Sequence, residues 1–123
     1  MKFKRVPIWR DAMRLLIEVE TVVKHFPRYH KYTLGTEIRQ QAFKIVRLIQ
    51  RAFLDKPNIK AYLGRLVFMV DDFKLQLFLA KELKVYQNFA EFERLAGLAR
   101  SIGKQASGWK LAVGSNVGSE KFT

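Results

Sequence analysis

The chain has 123 residues, 23 Lys and Arg against 11 Asp and Glu, a formal net charge of +12 and 49% hydrophobic residues. One domain of this length has enough apolar side chains for a packed core, which excludes wholesale disorder. The absence of cysteine excludes disulfides, Cys-ligated zinc, iron–sulfur clusters and a thiol nucleophile.

Residues 1–7 read as a basic N-terminal segment, with Lys2, Lys4 and Arg5 ahead of Pro7. Arg10, Asp11 and Arg14 interrupt the apolar stretch that a signal peptide would need, so a cytoplasmic protein is expected. A helix is predicted from about residue 8 to 26, opened by Pro7 and closed by Pro27, with Trp9, Met13, Leu16 and Val23 on one stripe. Glu20 falls in that stripe, where a charge needs a partner. Arg39 is the expected mate in a buried or half-buried ion pair that fixes register.

The second helix is predicted over about 33–54, with Leu34, Ile38, Ala42, Ile45, Ile49 and Ala52 as its core stripe. Asp55-Lys56-Pro57 stops it. The third, about 58–85, starts at Asn58 as N-cap and carries two apolar arcs at about 100° per residue. The main arc is Ile59, Tyr62, Leu63, Leu66, Met69, Val70, Phe73, Leu77 and Ala80. The second, roughly opposite, holds Val67, Phe68, Leu75, Phe78 and Leu79. A bundle helix needs one stripe, so these five are the expected contact between copies of the chain. The run Leu75 to Ala80 is bounded by charges and falls far short of the roughly 20 apolar residues that span a bilayer, so no membrane partner is expected.

Asn88 and Glu91 predict a capped start for the fourth helix, about 88–112, which carries Phe92, Leu95, Ala99, Ile102 and Ala106 towards Trp109. Ala96, Gly97, Gly103 and their neighbours should let it pack closely. The Gly- and Ser-containing stretch 113–123 is expected to be a disordered tail. Short connections between four helices predict an all-α, antiparallel up-down-up-down bundle occupying residues 8–112.

On the second helix Lys44, Arg47 and Arg51 lie at helical spacing on one face, with Gln40, opposite the core stripe. Arg10, Arg14 and His25 on the first helix, Arg28 and Lys31 in the first connection, and Arg100 and Lys104 on the fourth extend the outward positive charge. Tyr29 and Tyr32 alternate with cationic or titratable neighbours, a pattern suited to stacking on unpaired bases. Such a field attracts polyanions through counterion release, without base-reading specificity.

Catalytic and metal patterns are missing. His25 and His30 flank a proline and form no helical metal pair, and neither has an Arg four to six residues before it, as a metal-independent ribonuclease motif would. No Walker loop or Gly-x-Ser-x-Gly elbow occurs. Asp71-Asp72 reads as a solvated flank. No cofactor, metal or catalytic residue is assigned. A small RNA-processing enzyme using Glu20, His25 or His30, and an adaptor for an acidic protein, are the rival readings.

Trp9-Arg10-Asp11-Ala12-Met13-Arg14-Leu15, then Phe26-Pro27, then Tyr32-Thr33-Leu34-Gly35-Thr36-Glu37-Ile38-Arg39 resemble a bacterial four-helix-bundle family. That family includes proteins encoded in intervening sequences of large-subunit ribosomal RNA genes, whose role is unknown, and the accessory variability determinants of diversity-generating retroelements. Lys44 to Ala52 differs from the Ser-Ile-Pro-x-Asn-Ile-Ala-Glu-Gly-like stretch of the intervening-sequence branch. The basic second helix and the ending Ile102 to Trp109 are more similar to the accessory determinants. The resemblance, over about residues 5–112, implies a homopentameric barrel that binds reverse transcriptase and RNA or DNA to support mutagenic complementary-DNA synthesis.

Overall fold

The computed structural model describes residues 2–120, with side chains over 2–114. Its long helices are α1 (Pro7–Lys24), α3 (Leu34–Leu54), α4 (Ile59–Glu82) and α5 (Phe89–Glu120), with a one-turn α2 (Arg28–Lys31) between the first two. Single 3-10 turns occupy Lys2–Arg5 and Lys56–Asn58, and there is no strand among the described residues. α1 packs against α3 and α5, and α4 packs against the same two, so each long helix has two long neighbours around a shared core.

In α1 the buried residues are Ile8, Ala12, Leu15, Val19 and Val22, with Val23 and Phe26 beside them. Their alternating spacing of four and three keeps one narrow face inward. This corrects the expected stripe: Trp9, Met13 and Leu16 are half-buried at its edge, and Glu20 lies on the exposed flank. Arg39 is nonetheless its partner, with Nε donating to Glu20 Oε1 at 2.9 Å. Both side chains are about half exposed, 49% and 52%, so solvent screens the pair and it contributes well under about 1 kcal/mol.

The core stripes of the other long helices are largely where helical periodicity places them. Ile38, Ala42, Ile45, Ile49 and Ala52 on α3, Leu63, Leu66, Val70, Phe73, Leu77 and Ala80 on α4, and Leu95, Ala99, Ile102 and Ala106 on α5 are buried, whereas Leu34, Ile59, Tyr62, Met69 and Phe92 are half-buried at the edges. Fully burying each Leu or Ile stabilises by about 1.5–3 kcal/mol.

The ends are tied by aromatics and caps. Phe3 is buried, stacked on Phe53 at 4.9 Å and edge-on to Trp9 at 5.0 Å. The basic N-terminal segment is therefore anchored to the bundle. At the opposite end of α1, Glu91 is 4% exposed. Its Oε1 accepts the Gln87 N–H at 2.8 Å, Asn88 Oδ1 accepts the Glu91 N–H at 3.0 Å, and His25 Nδ1 lies 3.5 Å from Oε2. This is the expected cap of α5, with the carboxylate reaching one residue further back than in a simple capping box. Beside it, the Tyr86 hydroxyl donates to the Leu77 carbonyl at 2.9 Å. Burial, then the charge of Glu91, pushes that hydroxyl above its ordinary value of 10.0.

Three helix boundaries differ from expectation. Asn58 makes no side-chain cap of α4; its amide donates instead to both oxygens of Asp55, at 3.0 and 3.2 Å. α4 ends at Glu82 without Gly or Pro, because Lys84 adopts a left-handed φ of 58°. There the Val85 N–H bonds to the Ala80 carbonyl and the Lys84 N–H to the Lys81 carbonyl, satisfying carbonyls that a helix end otherwise leaves free. α5 runs past 112 to Glu120, into the segment 113–123 expected to be a tail. Val113 is half-buried against the core and no proline stops the helix, while residues 121–123 lie outside the described residues.

Candidate nucleic-acid interface

α3 and α4 are neighbours, and their outer faces form a groove of about 400 Å³. The α3 wall supplies Lys44, Arg47, Arg51 and Leu48. The α4 wall supplies Arg65, Phe68, Met69 and Asp72. All four cations are exposed, and none has a carboxylate within 4.0 Å among the described residues. Four positive charges, with Asp72 in the lining and Asp55 near Arg51, leave the groove a net positive field. The Arg47 guanidinium also lies 5.5 Å from the ring centroid of the exposed Phe43.

The remaining expected binding residues are spread over other parts of the surface. Arg10 and Arg14 are exposed on α1, and Arg100 and Lys104 on α5. α5 packs against α1 and α4, so its cations are divided from the groove by a helix. Arg28 is exposed on α2, while Lys31 is half-buried with Nζ 5.7 Å from the Tyr32 ring. Tyr29 and Tyr32 are both exposed and line a second, shallower groove with Leu79 and Leu83.

Of the second apolar arc on α4, Phe68, Leu75, Phe78 and Leu79 are exposed and Val67 is half-buried. They do not share one surroundings. Phe68, 73% exposed, lines the cationic groove, whereas Val67 lines a cleft on the α5 side with Lys110 and the exposed Leu111. Lys81 lies over Phe78 at 5.2 Å and over Phe92 at 5.3 Å.

Sequence reasoning missed Arg65 and Met69 as groove residues. The sequence alone assigns Arg65 no role and places Met69 in the main apolar arc of the third helix. On the helical wheel both are flank positions of α4, and a flank acquires a function only once its neighbouring helix is known.

The residues of the rival enzymatic reading are each engaged elsewhere: Glu20 with Arg39, His25 beside Glu91, and His30 edge-on to Tyr29 at 5.1 Å. No group of three or more His, Asp or Glu that could hold a metal ion occurs among the described residues. No helix among them is long and apolar enough to cross a membrane. Compared with protein-family models and with the curated proteins, the chain matches none.

Proposed function

We propose that this chain is a non-catalytic nucleic-acid-binding protein that works as an assembly of copies. The observation that carries the reading is the convergence of Lys44, Arg47, Arg51 and Arg65 on one groove without ion-pair partners among the described residues. Unpaired cations of this density release counterions from a phosphate backbone on contact, which drives binding without base specificity. Arg10, Arg14, Arg28, Lys31, Arg100 and Lys104 extend the attractive field over the surface.

Leu75, Phe78 and Leu79 with Val67 supply the contact between copies. Burying several such side chains at about 25 cal/mol per Å² stabilises association by several kcal/mol. Repeating a weak cationic groove around an assembly raises its avidity for a long polyanion far above that of one subunit. The ring of packed helices and its short connections support an antiparallel up-down-up-down bundle as the subunit.

The resemblance in sequence adds the finer assignment: a cytoplasmic, homopentameric accessory protein of a diversity-generating retroelement, with reverse transcriptase and RNA or DNA as partners. A basic, multivalent platform suits the task of holding a template beside a polymerase.

Titration of labelled RNA across a salt series tests the reading. Four cations each meeting one phosphate of a single strand give a slope of about −3 in log K against log salt. Replacing Lys44, Arg47 and Arg51 with Glu should abolish binding while the circular dichroism of the helices is retained. Undiminished binding by that triple variant at physiological salt would overturn the groove assignment, and a monomeric mass in light scattering would overturn the assembly.

A further inference from the structure

The cations account for only part of the groove. Phe68 stands 73% exposed on its α4 wall, in contact with solvent over most of its ring. Phosphate has no use for it. Three of the four cations belong to the α3 wall, whereas Phe68, Met69 and Asp72 belong to α4. Arg65, the fourth cation, shares the α4 wall with them, so the groove is asymmetric: cations dominate the α3 side, while the aromatic and apolar surface of Phe68 and Met69 lies on the α4 side, flanked along the helix by Arg65 and Asp72. A ligand that satisfies both walls carries a backbone of negative charge and, beside it, a flat apolar face with polar edges.

Resting on the reading that this groove binds nucleic acid, we infer that it selects unpaired strands, with the phosphates along Lys44, Arg47 and Arg51 and a base stacked on Phe68. A duplex presents the same phosphates to the cations but keeps its base faces stacked inside, so it leaves Phe68 without a stacking partner. An unpaired base offers its face to Phe68 at little cost, because every base has one. Asp72 repels phosphate and accepts a hydrogen bond from a donor on a base edge, the N3–H of thymine or uracil or an exocyclic amino group, which favours a base edge over the backbone beside it. Phe68 lies seven residues before Leu75, about 10 Å along the helix. Val67, although adjacent in sequence, lines the cleft on the α5 side, so the ring of Phe68 is left to the groove.

The test compares four probes at one salt concentration with the full chain: oligo-dT, oligo-U, an abasic strand of the same length and a duplex of the same length. The base-bearing strands should bind about tenfold more tightly than the abasic strand, the size of one stacking contact. Phe68→Ala should remove that difference, Phe68→Tyr should keep it, and Phe68→Leu, which preserves apolar area without a π-face, should lose it. Equal binding of base-bearing and abasic strands by the unaltered chain overturns the inference, as does full retention of the difference in Phe68→Leu. If all probes bind alike and the Lys44, Arg47, Arg51 charge reversal weakens all of them, the groove reading survives and stacking falls. If no probe binds, both fall. Circular dichroism and light scattering of Phe68→Ala separate loss of the ring from loss of fold or assembly, since both should match the unaltered chain.

Discussion

The Gln105 side-chain amide donates to Oδ2 of Asp11 at 2.7 Å, joining residues 94 positions apart, and Ser101 donates to the same oxygen at 3.0 Å. One carboxylate of α1 thus collects two donors from successive turns of α5 in a partly buried seam. This sets the rotation and height of one helix against the other, which apolar contacts alone leave loosely defined. Asp11→Ala removes the shared acceptor, leaving Gln105 only its 3.1 Å bond to the Ser101 hydroxyl, and should cost about 1 kcal/mol in urea unfolding. Asp11→Asn, which keeps an acceptor oxygen, should cost less.

Two helical glycines should respond to alanine with opposite signs. At Gly35 an added Cβ would stand 2.7 Å from Val23 Cγ1 and 3.1 Å from the His30 carbonyl oxygen. The side chain can shift, but the backbone carbonyl has little freedom to do so. Gly35→Ala should therefore destabilise by about 1–3 kcal/mol through overpacking. At Gly64 nothing lies within 4 Å, so Gly64→Ala should stabilise by up to about 1 kcal/mol through helix propensity. Thermal melts of both variants check the pair.

Lys84 holds a left-handed backbone at φ 58° without being glycine. An L-residue with a Cβ spends about 1 kcal/mol or more there. Lys84→Gly should raise stability by up to about 1 kcal/mol. An unchanged or lowered midpoint in denaturant melts would show that the lysine side chain compensates elsewhere.

The Asp55 carboxylate accepts from the Asn58 amide and, at 2.8 Å, from the Tyr62 hydroxyl. These bonds, Asn58 first, hold its pKa below the usual aspartate value of 3.8. A carboxyl whose folded pKa is depressed contributes stability above its unfolded pKa and loses it as pH falls through the folded value. The contribution is therefore present at neutral pH and disappears below 3.8. Carboxyl NMR titration should show Asn58→Ala and Tyr62→Phe each moving the Asp55 midpoint up towards that value, Asn58→Ala further.

The helices and the core of α3, α4 and α5 were legible from apolar spacing, because a residue that recurs at helical period on a chain with few breakers has only one way to be buried. So was the cap by Asn88 and Glu91, since both partners lie within one turn. The end of α4 was not. Its stop is a backbone conformation at Lys84 that the residue type does not announce. Nor was the true face of α1, where Trp9, Met13 and Leu16 form an apolar row next to Ile8, Ala12, Leu15 and Val19, and periodicity alone cannot rank two adjacent rows.

The candidate interface divides in the same way. Lys44, Arg47 and Arg51 share a face through helical spacing alone, and the surplus of positive charge is a matter of composition. By itself the sequence determined that this is an all-helical, strongly basic chain with more apolar surface on one helix than one core needs. Only the tertiary structure decided that Arg65 and Phe68 stand opposite that basic face, because a groove is made by two helices, and which flanks meet depends on packing between residues distant in the chain.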